Sequence, residues 1–188
     1  NRTGCLRTGQ FAGLMSSKKP LPPLRTRLLV MLAGAAVTAT AWQARPLLQE
    51  RWALMYEKKQ AGCLPWQFYW FDKKQPKPVL RRGDLILFPA RGMEPVIADG
   101  HPIGKTVAGL PGDEVRIVRG QVYINGRLLA DVSYGAAKLG KPIDYWDKTY
   151  RLEKDEIFVF GSEPRSWDSR YWGPYPAALV RGRLHLLF

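Results

Sequence analysis

The pattern of hydrophobic and polar positions divides the chain near residue 60. Before that point, residues 28–42 form a continuous apolar, alanine-rich run in which two threonines are the only hydroxyl residues. A helix that spans a bilayer usually needs about 20 residues. The run reaches that length only if it continues across Arg45 and Pro46, which tilt or snorkelling of its end would permit. We therefore predict three parts: an N-terminal tail (1–27), a transmembrane anchor (28–48) and a single folded domain (49–188).

Beyond residue 74 the pattern has the short period of β-structure. Apolar or alternating runs are separated by turn residues, and Asn125-Gly126 between two such runs is the strongest short signal for a hairpin. No helical repeat follows residue 60. We predict a mainly β, antiparallel domain whose strands include 85–88, 115–118, 122–124, 156–160 and 184–188.

Three segments have less decisive patterns. Residues 51–59 suggest a short amphipathic helix or stalk after the anchor. Residues 133–150, rich in Gly, Lys and Tyr, suggest a loop or an insertion. Aromatic side chains crowd residues 66–71, and they fit either a packed strand or a lip that faces the membrane, because tryptophan and tyrosine favour interfaces.

The distribution of charge along the chain supports a membrane location. The chain carries a net charge of +13, from 29 basic and 16 acidic residues. Residues 1–60 hold ten Lys or Arg against two Glu, so the basic excess surrounds the apolar run. This suits the flanks of a membrane span, and no nucleic-acid-binding motif accompanies it. We predict a lipid bilayer as a partner, no nucleic acid, and a cytoplasmic N-terminus.

Two features leave the processing of the N-terminal part open. Ala39-Thr40-Ala41 offers a small-residue cleavage site, so the apolar run could instead be a signal peptide that is removed. Met15, followed by two serines and two lysines, is typical of a bacterial start. That start would place residues 1–14, and Cys5 with them, outside the native chain.

The first candidate for chemistry is Lys105. It opens the short apolar run of Gly104-Lys105-Thr106-Val107-Ala108-Gly109-Leu110-Pro111-Gly112-Asp113. A single lysine is most often exposed. A lysine on a strand among apolar neighbours is different, because burial disfavours the ammonium form and can leave a neutral amine as a general base. A second distinctive segment, Asp168-Ser169-Arg170-Tyr171-Trp172-Gly173, follows about sixty residues later.

Together these two segments resemble the signature boxes of the type I signal (leader) peptidases. Arg82-Gly83-Asp84 followed by an apolar run resembles a further strand of that family, and Gly62-Cys63-Leu64-Pro65 falls where the family has its nucleophile. The resemblance covers roughly residues 60 to 180. It implies a membrane-anchored endopeptidase with an antiparallel β catalytic domain and a serine/lysine dyad, and it favours an uncleaved anchor.

The nucleophile position departs from that pattern. The chain has Cys63 where the family has serine, and no serine lies between Ser17 and Ser133. The Cys63-Leu64-Pro65 spacing, with proline two residues after the nucleophile, is similar to the conjugative-transfer (TraF-type) branch, which processes pilin precursors. The segment 161–168 is one residue shorter than in leader peptidases, which also favours that branch. A thiol loses its proton far more readily than a hydroxyl, so a cysteine asks less of the lysine.

The resemblance implies a role for each remaining site residue. Lys105 would be the general base and then the general acid, and Ser166 would orient its amine. Asp168 and Arg170 would form the ion pair that fixes their loop. The backbone N–H of Cys63 is the natural donor of an oxyanion hole. Thr106 stands where leader peptidases often have a basic residue, so that support is missing or replaced. Taken singly, Ser166 would be an ordinary loop serine and the ion pair a surface salt bridge.

The cysteines and histidines predict neither a disulfide nor a metal site. Cys5 and Cys63 lie on opposite sides of the predicted span and cannot pair within one chain. An unpaired cysteine in an exported domain is a candidate reactive thiol. His101 and His185 lie far apart in sequence, outside any ligand-like cluster. We predict no cofactor and no metal.

Together with the apolar run, the resemblance implies a single-pass protein of the bacterial inner membrane with its catalytic domain in the periplasm. The expected substrate is an exported, pilin-like precursor with small residues before the cut, matured by cleavage or by cyclisation in conjugative transfer, with pilus or secretion machinery as a further partner. Three alternatives stay open: Cys63 as an ordinary core residue, an inactive homologue that serves as an assembly scaffold, and a general leader peptidase that acts on many precursors.

Overall fold

The computed structural model describes residues 22–57, 63–94 and 96–187. Contacts divide the chain into two units, residues 1–45 and 46–188. Helix α1 is Leu24–Arg51, so it begins four residues before and ends three residues after the predicted span. It continues through Pro46, and none of its residues is buried. A helix this long and apolar could cross a membrane, a property that an N-terminal signal sequence shares.

The rest of the described chain is mainly antiparallel β-sheet, as predicted. A seven-stranded sheet has the order β1-β2-β11-β3-β4-β9-β10, and a four-stranded sheet has the order β7-β6-β5-β8. The strands are β1 Trp52–Tyr56, β2 Phe68–Asp72, β3 Leu85–Pro89, β4 Pro102–Gly109, β5 Glu114–Val118, β6 Gln121–Ile124, β7 Arg127–Asp131, β8 Lys148–Arg151, β9 Glu156–Phe160, β10 Tyr175–Pro176 and β11 Gly182–Leu186.

The hairpin predicted at Asn125-Gly126 is present. Both residues have positive φ, 50° and 77°, and they join β6 to β7 so that Ile124 pairs with Arg127. A two-residue turn of this hand matches the twist of the strands, and asparagine followed by glycine accepts it at little cost. The strand predicted at 184–188 is β11, which begins two residues earlier, and Phe188 lies outside the described residues.

Two segments differ from their sequence predictions. The helix or stalk expected over residues 51–59 is instead the end of α1 followed by strand β1, which pairs with β2 from Trp52 to Tyr56. Residues 58 and 59 lie outside the described part. Tertiary pairing decides this case, because an isolated amphipathic turn of this length buries less than a strand added to an existing sheet edge.

The segment predicted as a loop, residues 133–150, contains helix α2, Ser133–Leu139, and most of strand β8. The helix begins where the Asp131 carboxylate accepts the N–H of Ser133 (2.8 Å), and it ends at Gly140, whose φ is 59°. Gly135 lets the helix approach an aromatic ring, because a Cβ there would lie 2.1 Å from Tyr171 Cε1. The contact with Tyr171, absent from any local pattern, makes this segment a helix.

Three hydrophobic clusters fill the domain. The first joins β3, β4 and β9 of the large sheet with Tyr175, and the second fills the space between the small sheet and α2. The third consists of Leu64, Tyr69, Phe71, Leu87 and Leu184, with Cys63 packed against it. Cys63 is therefore positioned by a cluster built from β2, β3 and β11.

The Arg-Gly-Asp segment connects other parts of the fold. Arg82 forms an ion pair with Asp113, and Asp84 forms one with Arg183 (2.8 Å). Asp113 also accepts hydrogen bonds from the N–H of Leu110 (2.7 Å) and from the side chain of Asn125 (2.8 Å). Asp113 therefore links the segment before β3, the turn after β4 and the β6–β7 hairpin.

Candidate active site

Strand β4 buries Lys105 by simple alternation. Residues 103, 105, 107 and 109 of this strand face inward, and Lys105 is 0% exposed between Ile103 and Val107 of the first cluster. On one side of β4, Lys105 pairs with Ile86 on β3. On the other side, the next residue, Thr106, pairs with Phe160 on β9. Side chains two apart share one face of a strand, so the apolar run that surrounds Lys105 in sequence also carries it into the core.

The amine of Lys105 meets the hydroxyl of Ser166. Nζ donates to Ser166 Oγ at 2.8 Å, and Ser166 is itself buried. Within the described ranges, no carboxylate lies in ion-pair contact with Lys105. The structure therefore brings together two of the predicted site residues.

The loop that carries Ser166 also carries the ion pair of Asp168 and Arg170. Asp168 Oδ1 and Oδ2 accept from the guanidinium of Arg170 at 2.8 and 2.9 Å, and both residues are buried. Burial by itself lowers the pKa of Arg170, but the hydrogen bonds and charge of Asp168 outweigh it and raise that pKa. Arg170 also donates to the carbonyl of Ser166 (3.2 Å). The pair is a buried structural link rather than a surface salt bridge.

The same segment forms a short helix, α3, Ser169–Trp172. Asp168 caps its N-terminus by accepting the N–H of Arg170 (3.2 Å), and Ser169 Oγ accepts the N–H of Val159 from β9 (3.0 Å). Gly173 ends the helix at φ 94°, which a side chain would oppose. Asp168, Ser169 and Gly173 thus fix the two ends of the helix and attach it to β9.

At Gly161 the main chain of Cys63 comes close to Ser166. A Cβ on Gly161 would lie 2.1 Å from Ser166 Oγ and 2.5 Å from the carbonyl oxygen of Cys63, so both groups converge on the bare face of this glycine. The N–H of Gly161 donates to Asp168 (3.0 Å), and the N–H of Glu163 donates to the Cys63 carbonyl (3.4 Å). All five predicted site residues therefore belong to one connected network.

Cys63 lines a cleft of about 830 Å³. It is half-buried and lines the cleft together with Leu64, Tyr69 and Gly104, whereas Lys105 and Ser166 are buried and do not line it. Tyr69 is buried, and its hydroxyl donates to the carbonyl of Trp66 (2.8 Å). Burial, with the nearby charge of Glu57, raises the pKa of Tyr69 to about 12. The cleft thus gives a substrate access to part of Cys63, whereas the amine of Lys105 is buried.

The aromatic segment after Cys63 is largely a packed strand. In β2, Tyr69 and Phe71 point into the third cluster, and Trp70 stacks on His185 with ring centroids 4.2 Å apart. Trp66, before the strand, is 46% exposed. The packed-strand interpretation therefore holds for the residues of β2, and a membrane-facing role for Trp66 stays a prediction.

Glu57 is the site residue that the sequence prediction missed. It directly follows β1, and its carboxylate accepts the backbone N–H of Cys63. Burial raises the pKa of Glu57, against the lowering effects of the Cys63 N–H and the charge of Lys105. Nothing in its local pattern, between Tyr56 and two lysines, distinguishes it from a solvent-exposed acid. Only the pairing of β1 with β2 brings it to Cys63.

No metal site is found among the residues that the structure describes, since no three His, Cys, Asp or Glu side chains are grouped to hold an ion. His101 lines the cleft, and His185 lies against Trp70.

Comparison with known proteins places this chain in a family. The model of the family "Signal peptidase, peptidase S26" matches residues 26–188. A "Probable signal peptidase I-2" from Synechocystis sp. is 40% identical over 85 residues, which cover 45% of this chain and 37% of the relative. A "Signal peptidase I" from Leptolyngbya laminosa is 33% identical over 113 residues, which cover 57% of this chain and 52% of the relative. The chain thus spans about half or less of the length of these curated relatives.

A crystal structure of a signal peptidase I from Enterococcus faecalis V583 is 29% identical, covers 57% of this chain and 98% of its own, and superposes with a TM-score of 0.38. The family match extends over most of the chain, from within α1 to the end, and includes Cys63, Lys105 and Ser166. The chain belongs to the S26 signal peptidase family.

Proposed function

We propose that this protein is a membrane-anchored endopeptidase that cleaves exported precursors with a Cys63/Lys105 dyad. The observation that carries the proposal is the fully buried Lys105, whose only described hydrogen bond is to Ser166, next to the point where the main chain of Cys63 meets Gly161. Placing an amine there costs folding free energy, since a buried lysine without an ion pair is unfavourable. A catalytic base accounts for that cost.

In the proposed first half-reaction, Lys105 takes the proton of the Cys63 thiol and Sγ attacks the carbonyl carbon of the scissile peptide. A C–S bond forms, and the carbonyl electrons move to oxygen. When that oxyanion collapses, the C–N bond breaks and Lys105 returns the proton to the leaving amine. The product is a thioester between Cys63 and the substrate. Ser166 serves by keeping the lysine nitrogen aimed along one direction.

In the second half-reaction, water or an amine attacks the thioester. Lys105 accepts the proton of the attacking group, the C–S bond breaks, and the proton returns to sulfur. Water gives a carboxylate, and an internal amine gives a new peptide bond that closes the product into a ring. The same residues serve both outcomes, since they differ only in which nucleophile reaches the thioester first.

We propose a pilin-like precursor of conjugative transfer as the substrate, in the inner membrane with the catalytic domain in the periplasm. The support is the Cys63-Leu64-Pro65 spacing and the short segment between Gly161 and Asp168. The apolar helix α1 supports a membrane location. A second candidate is a general leader peptidase, favoured by the names of the Synechocystis and Leptolyngbya relatives.

The dyad is tested by precursor processing in cells that express the full chain. We expect Cys63→Ala and Lys105→Ala each to reduce processing by at least about a thousandfold, because nucleophile and base act as a unit. Cys5→Ala and the exposed Lys154→Ala are the matched controls and should process normally. Mass spectrometry of the product tells hydrolysis from cyclisation, since the ring is lighter by one water.

The outcomes separate the alternatives. Normal processing by Cys63→Ala contradicts the nucleophile assignment. If removing the protein prevents pilus assembly but Cys63→Ala has no effect, the result favours the scaffold alternative. Cleavage of several unrelated preproteins by the wild type, at rates similar to that of the pilin precursor, favours the general leader peptidase.

A further inference from the structure

Glu57 is a charged residue that the catalytic scheme above does not use. Its N–H donates to the carbonyl of Gln67 (2.9 Å), which continues the β1–β2 pairing by one residue and fixes its main chain. Its side chain is half-buried and lines the cleft beside Cys63. A long acidic side chain on a fixed main chain can change position by rotation about its own bonds.

The carboxylate of Glu57 holds a donor that an oxyanion at Cys63 would need, because it accepts the backbone N–H of Cys63. Burial is the largest effect on the pKa of Glu57 and raises it, whereas that N–H and the charge of Lys105, when Lys105 is protonated, lower it. The charge of Glu163 raises it further. A tetrahedral intermediate at Cys63 needs the same donor, because its oxygen becomes negative within reach of the nucleophile's own N–H.

We propose that Glu57 is the resting occupant of the oxyanion position, and that the substrate carbonyl must displace its carboxylate before Cys63 can react productively. The proposal rests on the function proposed above, since the Cys63 N–H marks an oxyanion position only if Cys63 is the nucleophile. One N–H cannot donate in good geometry to two oxygens. A developing oxyanion would also be repelled by a carboxylate left in place.

The need to displace the Glu57 carboxylate restricts which substrates the enzyme cleaves efficiently. Displacing a hydrogen-bonded carboxylate uses binding energy, which a substrate obtains from contacts away from the scissile bond. A precursor segment that fills much of the 830 Å³ cleft can supply it, whereas a short peptide cannot. Glu57 therefore makes the enzyme inefficient on short peptides and reserves it for extended precursor segments.

The first test compares kcat/KM for Glu57→Ala, Glu57→Gln and the wild type on a short peptide that spans the cleavage site, with the full chain in detergent. Displacement predicts that kcat/KM is highest for Glu57→Ala, lower for Glu57→Gln and lowest for the wild type. The increase for Glu57→Ala should be roughly tenfold, because a hydrogen bond to a charged acceptor no longer has to be broken. The glutamine still offers a neutral acceptor, so it should be intermediate. On a long precursor the three rates should lie closer together.

A merely structural role predicts the reverse order. If Glu57 holds the Cys63 loop in place, then Glu57→Gln keeps the acceptor and retains activity, and Glu57→Ala loses it. Glu163→Gln is the matched control for charge alone, because it removes an acid from the same neighbourhood without touching the Cys63 N–H. Displacement predicts that Glu163→Gln changes kcat/KM less than Glu57→Gln does.

A second test does not depend on peptide cleavage. A peptide aldehyde adds reversibly to a thiol: Sγ bonds to the aldehyde carbon, and the thiol proton passes to the aldehyde oxygen, which takes the oxyanion position. Binding is read as protection of Cys63 from iodoacetamide by mass spectrometry, with Cys5 as the internal reference for alkylation. We expect about tenfold tighter binding by Glu57→Ala than by the wild type.

The two tests distinguish failure of this proposal from failure of the proposed function. If Cys63→Ala still cleaves but the aldehyde binds in the predicted order, the nucleophile assignment is wrong, and the displacement of Glu57 by a carbonyl at Cys63 stands. Equal protection of Cys63 by the aldehyde in the wild type and in both Glu57 variants, including no protection in any of them, overturns the displacement. The order Glu, Gln, Ala in kcat/KM also overturns it.

Discussion

Gly161 shows how much of the site depends on the absence of a single carbon atom. Its Cα faces both the hydroxyl of Ser166 and the carbonyl of Cys63, and a Cβ would lie 2.1 Å from the first and 2.5 Å from the second. Both distances are far below a van der Waals contact. Neither partner can yield, since Ser166 holds Lys105 and the Cys63 carbonyl is part of the main chain.

We expect Gly161→Ala to reduce processing on the order of a hundredfold, because a displacement of about 1 Å in a catalytic group has that effect. Kinetics on the purified full chain would show this as a fall in kcat, with thermal unfolding measured in parallel. Gly34→Ala is the matched control, since a Cβ at Gly34 meets nothing within 4 Å. Unchanged kcat in Gly161→Ala would mean that Ser166 and Cys63 do not act at this point.

The sequence analysis predicted which residues belong to the site more often than it predicted their contacts. Lys105 and Ser166 were predicted as a pair, and the structure places them 2.8 Å apart. Their catalytic roles stay a prediction. Glu57 could not be found, because its partner Cys63 is six residues away across a segment whose path no local pattern determines. The Gly161 contact was likewise invisible, since a glycine in a loop has many explanations.

At the scale of elements, helix α3 is a support for the site rather than a part of it. Only four residues long, it is held by the Asp168 cap and the Asp168–Arg170 ion pair, whose side chains are 0% and 5% exposed. The guanidinium also lies over the rings of Phe160 and Tyr171 at 4.9 and 5.3 Å. Such a pair is hard to remove, because breaking it strands a charge in the interior.

We expect Asp168→Asn to lower the free energy of unfolding by about 3–5 kcal/mol, since Arg170 keeps its charge but loses its counter-ion. Urea unfolding of the full chain in detergent would measure the loss. Asp72→Asn breaks the Arg51–Asp72 pair, whose arginine is 56% exposed, and should have a much smaller effect. Similar losses in both variants would contradict the special role of the buried pair.

Elements were predicted well where periodicity was local and poorly where tertiary contacts decided. The hairpin at Asn125-Gly126 followed from turn chemistry. Helix α2 was missed, although Gly140 and the proline at 142 are stop signals of the expected kind. Its seven residues are too few to form a helix alone, and packing of Gly135 on Tyr171 supplies what propensity does not.

At the scale of the whole molecule, Asp113 connects its own turn to two distant segments. Arg82, Leu110 and Asn125 all donate to its carboxylate. Burial alone would raise the pKa of Asp113, but these hydrogen bonds and the charge of Arg82 lower it below its ordinary value. A lowered pKa in the folded state stabilises the fold at every pH above the unfolded value, near 4, and that contribution is lost as the pH falls through the folded value.

We therefore expect Asp113→Asn to be less stable than the wild type near pH 7, and the difference to shrink as the pH falls below about 4 and through the lowered pKa of Asp113. Urea midpoints over this pH range give the comparison. Asp155→Asn, at an exposed position, is the control. A difference that stays constant from neutral to acid pH would show that the charge of Asp113 is not what stabilises the link.

Alternation and turn residues were sufficient to predict the antiparallel β class, the apolar helix and the Asn125-Gly126 hairpin, because these signals are local or nearly so. The pairing of Lys105 with Ser166 was implied by the family resemblance. Packing in the folded protein determines that β1 rather than a stalk follows α1, that α2 forms against Tyr171, and that Glu57 contacts the N–H of Cys63. Each of these depends on surfaces that meet only after the sheets have formed, because burial and hydrogen bonding between distant segments outweigh weak local propensities.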